Sequence, residues 1–571
     1  MRITPPSTLH CFADTAALGR PLARALGLPL APVTIHRFPD GETLVRVSPA
    51  AGTQTFLLRS LHNPNTKLIE TLLAADALRR AGAQHVIFIH KAAVQEGNLG
   101  FRALDRVRVV EADPTNGAAR EVTGIINFCE DSLVAPDEIG LSEVTFRDLG
   151  LADNTRVLAT IAPAPRSVDL VRKKLEGHRL DRAAFDAILA DVVQHHYSKV
   201  ELSMFVLACA LKTLDLQELV DYTSAMIAAG TQLDFGPGPV ADKHCIGGIP
   251  GNRTTMVMVP ILASLGVMMP KTSSRAITSP AGTADTMGVL AEVALSPARL
   301  RAVVHEVGAC IAWGGALELA PADDILITVE RPMELDTEAQ MVASILAKKK
   351  TAGASHVLID IPVGSTAKVR SVPAAEQLAA LFRAVADHID VRLDVVITEV
   401  RGPIGWGIGP RLEALDVLAV LRRDTHAPVD LREKSLYLAA RLLEMTGLVT
   451  PNGGYRAAQQ ALDSGAAEQM FSRILTAQGP HPFPPEAPYR TTITAPADGR
   501  IREIDCWEIA RVAKRAGAPA NVSAGVRLLR TVGDVVAKGE PLYDIHAQST
   551  AQLEFGRAYA EAHPEIVRFG F

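Results

Sequence analysis

From Gly236 onward the chain alternates apolar runs with glycine-rich turns, and no other feature restricts its fold as much. Val257 to Leu265, His356-Val357-Leu358-Ile359-Asp360-Ile361 and Val391 to Ile397 are such runs, with helical stretches between them. This alternation is the pattern of a large α/β domain. A domain boundary follows at residues 479–488, where Pro480, Pro482, Pro484, Pro485 and Pro488 can continue neither a helix nor a central strand. Beyond it, Ile501-Arg502-Glu503-Ile504 and Leu542-Tyr543-Asp544-Ile545 predict a compact α+β domain over residues 489–571. Upstream, Phe185, Ile188, Leu189 and Val192, then Met204, Phe205, Leu207 and Leu211, recur at helical spacing and predict a helical domain over residues 163–235. Ser167 is the expected N-cap of a short helix ending at Leu175, closed by Gly177.

Residues 91–162 are richer in Val, Gly, Asp and Glu, with strand candidates at Val107 to Val110 and Arg156 to Thr160, and predict a small β-rich domain. Residues 1–90 open with a strand at Val33 to Ile35, helical spacing from Leu68 to Leu78, and another strand at Val86 to Ile89. The fold class expected is therefore multi-domain α/β: two small N-terminal domains, a helical domain, a large mixed α/β domain over residues 236–480 and an α+β C-terminal domain. A length of 571 residues accommodates three to five domains of ordinary size.

With 58 Lys+Arg against 63 Asp+Glu, the formal charge is −5. That is too near neutral to draw the whole surface onto nucleic acid or an anionic membrane, so any anion must be held in a local site. The longest uncharged run, Thr254 to Pro270, contains Pro260 and Gly266 and is short for a bilayer span, so it reads as a buried helix. The six cysteines are scattered, with no Cys-x-x-Cys pair and no metal spacing. Neither a disulfide framework nor a zinc site is expected, and a reducing cytoplasm fits best.

Three stretches within about fifty residues combine glycines, hydroxyls and cations: Asp242-Lys243-His244-Cys245-Ile246-Gly247-Gly248-Ile249-Pro250-Gly251-Asn252-Arg253-Thr254-Thr255, then Lys271 to Ser279, then Pro280-Ala281-Gly282-Thr283-Ala284-Asp285-Thr286. Glycine lets backbone amides approach an oxyanion, Lys and Arg supply charge, and Ser and Thr add neutral donors, which together make a cradle of phosphate size. Any one of them alone is equally a turn before a helix.

The run from Asp242 to Met287 resembles the signature region of the thymidine/pyrimidine-nucleoside phosphorylases, closest to the branch that holds AMP phosphorylases and bacterial thymidine phosphorylases. Gly308 to Asp324, Ala343 to Lys349, Asp360-Ile361-Pro362-Val363-Gly364, Gly402-Pro403-Ile404-Gly405 with Gly409, and Thr494 to Gly499 also fit, so the resemblance runs from about His90 to the end. It implies phosphorolysis of a pyrimidine nucleoside such as thymidine, with inorganic phosphate as co-substrate, no other cofactor and no metal. A nucleoside 5′-monophosphate phosphorylase giving ribose 1,5-bisphosphate is the alternative, followed by a phosphoribosyl-pyrophosphate-dependent transferase and a non-catalytic protein on the same fold. A homodimer or larger homo-oligomer is implied as well. Separately, Phe38-Pro39-Asp40-Gly41-Glu42-Thr43-Leu44-Val45-Arg46-Val47 resembles the N-terminal half-domain of ribose-phosphate pyrophosphokinases.

By position in the family motifs, Lys243, Thr255, Ser273 and Thr283 fall where phosphate is held. In the AMP phosphorylase branch Asp336 falls at the proton donor, while Gly248, Ser274, Arg275, Ala276, Ile277, Thr278, Ser279, Thr283, Ser344 and Lys368 fall at nucleotide-binding positions. In the thymidine branch Ser344 and Lys348 fall where the pyrimidine is gripped, and their i, i+4 spacing puts both on one helix face. Asp336 reads equally as the N-cap of a helix from Thr337 to Lys348. Without the resemblance, Lys348-Lys349-Lys350 would be a solvated helix end and His244 a structural histidine. The chain departs from the pattern at Cys245, where many relatives carry serine, and near Arg331, which lies out of register with the arginine that binds pyrimidine carbonyls.

Overall fold

The computed structural model describes residues 7–12, 23–24, 30–37, 43–47, 54–58, 86–97, 100–102, 105–114, 119–129, 134–276, 279–317, 319–333, 335 and 337–570. They form two compact units, one of Met1–Pro165 with Gln194–Ser198 and one of Arg166–Val193 with Lys199–Phe571.

In the first unit, strands β1 (Ser7–Phe12), β2 (Leu30–Arg37), β3 (Thr43–Val47) and β4 (Gln54–Leu58) form a sheet of order β3-β2-β1-β4. The helical spacing from Leu68 to Leu78 lies outside the described residues. A second sheet, β8-β5-β7-β6-β9, contains β5 (Val86–His90), β6 (Arg106–Glu111), β7 (Glu121–Cys129), β8 (Ile139–Leu141) and β9 (Val157–Ile161). Strand β5 pairs with β7 and β8, so Val86–His90 builds the second sheet and not the first. Ile87, Val107, Val109 and Ile126 are wholly buried at its centre.

The second unit is a helical domain, a mixed α/β domain and an α+β C-terminal domain. The helical domain comprises Ser167–Leu175, Arg182–Val193, Lys199–Leu211 and Leu216–Ala228. Ser167 opens the first helix as its first residue while Arg166 takes the cap position, a correction to the expected N-cap. Asp215 caps the last helix through a reciprocal pair with Glu218. Glu218 also receives Lys174 Nζ at 2.7 and 2.9 Å and the Leu180 amide at 2.9 Å, so a fully partnered ion pair sits inside the bundle. Helices Pro321–Met333 and Glu338–Thr351, far along the chain, pack back onto this bundle.

The α/β sheet is entirely parallel. Strands β10 (Ala241–Cys245), β13 (His356–Val363) and β14 (Arg392–Glu399) lie in the order β10-β13-β14. Strands β11 (Met269–Ser273) and β12 (Ala309–Trp313) pair with each other, and a parallel bridge from Val240 to Met268 joins the two groups. From β10 the chain steps to β11 and β12 on one side and later to β13 and β14 on the other. The direction of winding therefore reverses between β10 and β13, and in open parallel sheets that reversal opens a crevice at the carboxyl ends of the strands. The apolar run of β13 is buried along almost its whole length, as a central parallel strand requires.

The uncharged run Thr254 to Pro270 divides into a fully buried helix, Thr254–Ser264, and the start of β11, with Gly266 at φ 85 making the turn. A single helix through Pro270 is thus corrected, because the left-handed turn that glycine permits ends it at Ser264. In the C-terminal domain, β15 (Gly407–Ile408) joins β16 (Tyr489–Thr494), β18 (Gly525–Leu528) and β20 (Pro541–Ala547), while β17 (Gly499–Ile504) pairs with β19 (Val535–Val536) and β21 (Val567–Gly570). Because β15 comes from the α/β segment, the 402–409 loop stitches these two domains together.

Candidate active site

Lys243, Ser273 and Trp313 lie at or near the carboxyl ends of their strands, around the mouth of the crevice. The first glycine-rich loop leaves β10 at Cys245 and returns at Thr254, the first residue of a helix in which Thr255 is the second. Gly247, Gly248 and Gly251 have φ values of 97, 87 and 72. A Cβ on Gly251 would collide with the Ile404 carbonyl, and one on Gly248 would lie 2.6 Å from the Lys368 amide nitrogen. Glycine is needed at both positions for these approaches.

The three loops are tied to one another. Arg253 donates from Nη1 to Thr283 Oγ1 at 2.9 Å and from Nη2 to the Ala281 carbonyl at 2.9 Å, while its Nε pairs with Glu413. Glu413 also accepts from Thr286 Oγ1 and the Gly409 amide, each at 3.0 Å. The second loop meets the third at Gly282, whose Cβ position is 2.6 Å from the Ser274 carbonyl oxygen and 2.8 Å from the Ala276 nitrogen. Asp285 closes this junction by accepting from the Ala276 and Gly282 amides at 2.6 and 2.8 Å. Thr283 begins the helix Thr283–Gly288, and Ser273 ends β11 half-buried.

Beneath the loops lies a buried ionic cluster. Lys243 donates to Thr254 Oγ1 at 3.1 Å and lies 3.3 Å from Asp360 on β13. Asp360 is itself 3.2 Å from Lys434 and 3.3 Å from Thr398. Burial alone would raise the Asp360 carboxyl, but Lys243 and Lys434 outweigh it and hold the group below its ordinary range. Next door, Asp242 pairs with Lys349 at 2.8 Å and Lys271 at 3.3 Å. Burial pushes the Lys271 ammonium down; Asp242 opposes that shift and Lys349 adds to it. His244 sits among these cations, and burial first, then Lys349, Lys271, Lys243 and Lys368, drive its pKa well below 6.5. The imidazole is neutral at pH 7, so it can orient a ligand by a hydrogen bond but holds no extra proton to deliver. Cys245 Sγ accepts from Asn252 Nδ2 at 3.3 Å, and its thiol is raised by burial and by Asp360.

On the helical side, Ser344 and Lys348 share the helix Glu338–Thr351. The Lys348 ammonium lies 2.6 Å from Asp323 and 3.1 Å from Asp324, so two carboxylates of the neighbouring helix fix it. Burial would lower its pKa, but the two carboxylates prevail and raise it. A solvated end for Lys348-Lys349-Lys350 is corrected at Lys349, which is buried and anchors the helix to β10 through Asp242. The cap of this helix is Thr337, whose Oγ1 accepts from the Gln340 amide, and not Asp336. Asp336, Ile277 and Thr278 lie outside the described residues.

Lys243, Thr255, Ser273, Ser274, Ala276, Gly282 and Thr283 are thus gathered around one crevice, with Gly248 and Lys368 in backbone contact at its β13 side. Arg275 lies over the Trp313 ring, 4.6 Å from its centroid, and Ser279 donates to the Ala281 carbonyl at 2.8 Å. Sequence reasoning missed Arg253, Asp360, Lys434 and the Asp242 cluster. Arg253 lies within the stretch from Asp242 to Thr255 and Asp360 opens the block Asp360 to Gly364, whereas nothing in the sequence around Lys434 marks it. Among the described residues, no helix is long and apolar enough to cross a membrane.

Four family models match the chain: the N-terminal domain of ribose phosphate pyrophosphokinase over residues 9–91, the helical bundle domain of a glycosyl transferase family over residues 168–230, the a/b domain of that family over residues 237–468, and the pyrimidine nucleoside phosphorylase C-terminal domain over residues 500–566. A protein named "Putative thymidine phosphorylase" from Polaromonas sp. is 46% identical over 512 residues, 89% of this chain and 99% of that protein. One of the same name from Rhodopseudomonas palustris is 49% identical over 434 residues, 76% of this chain and 84% of that protein. The solved structure of anthranilate phosphoribosyltransferase from Thermus thermophilus matches with a TM-score of 0.47 at 18% identity, covering 54% of this chain and 99% of that one.

Proposed function

Because the chain belongs to the thymidine and pyrimidine-nucleoside phosphorylase family, we propose that it cleaves the N-glycosidic bond of a pyrimidine nucleoside such as thymidine with inorganic phosphate. A phosphate oxygen forms a bond to C1′ as the C1′–N bond breaks. The electron pair leaves with the base, which takes up a proton, and a pentose 1-phosphate remains. The observation that carries this reading is the joining of three hydroxyl-bearing loops by Arg253 and Gly282, with the Lys243–Asp360 pair bonded to the first of them through Thr254.

The transition state resembles an oxocarbenium ion, as in glycoside cleavage, and a bound phosphate serves as both nucleophile and electrostatic partner of the sugar cation. Lys243, Thr255, Ser273 and Thr283 are the phosphate ligands in this reading. Ser344 and Lys348 present a hydroxyl and an ammonium to the base from the helical side, and their shared helix face keeps the two donors in register. Asp336 is the proposed proton donor to the leaving base. The neutral state of His244 leaves that role to another group. Catalysis in a homodimer or larger homo-oligomer in the cytoplasm completes the proposal.

A second reading, cleavage of nucleoside 5′-monophosphates, draws on the approach of Lys368 to Gly248, which puts an exposed lysine beside the first loop. Chromatography of base release, with and without phosphate, from thymidine, uridine, cytidine, AMP, CMP and UMP distinguishes the two. Phosphate-dependent release from nucleosides is the expected result, and release from monophosphates alone supports the second reading. Lys243→Ala should lose on the order of a hundredfold or more in turnover, the scale of removing one group that stabilises developing charge. Near-normal phosphorolysis by that variant overturns the assignment.

A further inference from the structure

We infer that Lys434, on a helix outside all three glycine-rich loops, is a positioning residue that sets the affinity for phosphate by offsetting the charge of Asp360. The inference rests on the phosphorolytic reading above and adds a determinant of how the co-substrate is held.

The geometry is a triad in which Asp360 lies between Lys243 and Lys434, one on each carboxylate oxygen. Lys243 is 1% exposed and Asp360 is wholly buried, so water does little to screen either. Lys243 Nζ lies 3.3 Å from Asp360 Oδ2, while the opposite oxygen, Oδ1, is 3.2 Å from Lys434 Nζ and 3.3 Å from Thr398 Oγ1. Lys434 also donates to Thr398 at 3.2 Å, which fixes the angle at which it meets the carboxylate. Lys434 comes from the helix Val429–Met445, far beyond β10 in the chain, and its side chain is 11% exposed.

A lysine that binds an anion has to present positive charge to it. Lys243 paired alone with a buried aspartate would present almost none, since the pair sums to zero at the distance of a ligand. With Lys434 on the far oxygen, the three groups sum to one positive charge, and Lys243 is the member that meets the first loop, through Thr254. Asp360 can then hold the Lys243 ammonium in place without cancelling it. Arg253 is committed to Glu413. Lys271 and Lys349 share Asp242, and whatever positive charge remains there is the same in wild type and in every Lys434 or Asp360 variant, so it cancels from the comparison.

Charge counting gives a test that packing does not mimic. Lys434→Gln keeps a polar side chain beside Thr398 and leaves Lys243 with Asp360, a sum of zero. Lys434→Arg keeps the wild-type sum. The double variant Lys434→Gln with Asp360→Asn removes one charge of each sign and restores a sum of one. Binding of inorganic phosphate is measured by titration calorimetry in the absence of nucleoside, alongside the KM for phosphate, the KM for nucleoside, kcat and the melting temperature.

Lys434→Gln is expected to weaken phosphate on the order of tenfold, the effect of one unit charge a short distance away in the interior. The nucleoside KM should change less than twofold. Lys434→Arg is expected to hold phosphate within threefold of wild type. The double variant should bind phosphate more tightly than Lys434→Gln, although Lys243 is no longer anchored and kcat falls. If Lys434→Gln does not fold, the double variant is compared with wild type, and phosphate binding within threefold is the expected result.

Wild-type affinity in a folded Lys434→Gln, or a double variant weaker than the single one, overturns the role of Lys434 while leaving phosphorolysis intact. Wild-type protein that neither binds phosphate nor uses it to release base overturns both.

Discussion

Replacing Arg253 with methionine tests the junction that holds the three loops together. Arg253 is 8% exposed at its side chain and its partner Glu413 is wholly buried. The substitution keeps an unbranched apolar stem but removes the guanidinium, leaving a buried carboxylate with, among the described residues, only the Thr286 hydroxyl and the Gly409 amide as side-chain or loop donors. Breaking a buried ion pair from one side costs about 3–5 kcal/mol. Glu413 keeps two donors, so about 3 kcal/mol is expected, the low end of that range. For a domain of this size about 1 kcal/mol corresponds to roughly 2–4 °C, which puts the calorimetric transition of the α/β domain about 6–12 °C lower. The bonds to Thr283 and Ala281 are lost with the guanidinium, so the KM for phosphate should rise at least several-fold. Adding Glu413→Gln removes the orphaned charge, and the double variant should melt above the single one while its phosphate KM stays high. A shift under about 2 °C in Arg253→Met, or a double variant no more stable than the single, refutes the reasoning.

Gly282→Ala adds a Cβ 2.6 Å from the Ser274 carbonyl oxygen, a contact with backbone that cannot rotate away. Overpacking of this kind costs about 1–3 kcal/mol; displacement of the Ser273–Ser274 segment should raise the phosphate KM more than the nucleoside KM, and equal changes would count against the proposed roles of the loops. His244 gives a pH signature. Its folded pKa lies well below 6.5, so as pH falls below 6.5 the unfolded chain takes up a proton that the folded chain refuses. Stability should therefore fall by up to about 1.4 kcal/mol per pH unit from this group until its folded pKa is reached. In melting curves from about pH 6.5 down to about pH 5, His244→Gln should decline less steeply than wild type, and an identical slope would show that the imidazole is not held neutral.

Much of the architecture is written in local pattern. The helical spacing of Phe185, Ile188, Leu189 and Val192 recurs as buried positions on one helix, and the apolar run around Ile359 becomes the central strand β13. The prolines of residues 479–488 precede β16 without forming a helix or strand of their own. These follow from side-chain periodicity and from the missing amide of proline, both carried by consecutive residues. Helix ends were less legible. Thr337 and Asp336 are adjacent and both able to cap, and Ser167 and Arg166 differ by a single position, so backbone angles decide which one flanks the helix.

The site divides in the same way. Lys243, Thr255, Ser273 and Thr283 stand in motifs whose glycines and hydroxyls announce an anion cradle. Their mutual arrangement does not stand there, because Arg253 reaches thirty residues along the chain to Thr283, and Asp360 and Lys434 reach Lys243 only once β13 lies beside β10. Lys349 looked like the middle of a solvated lysine run and is instead buried against Asp242. Sequence by itself determined which elements form and which loops can approach an anion, since those depend on the nearest few residues. Only the tertiary structure decided which charges share a buried carboxylate, because a Coulomb interaction in a low-dielectric interior depends on distance in space and not along the chain.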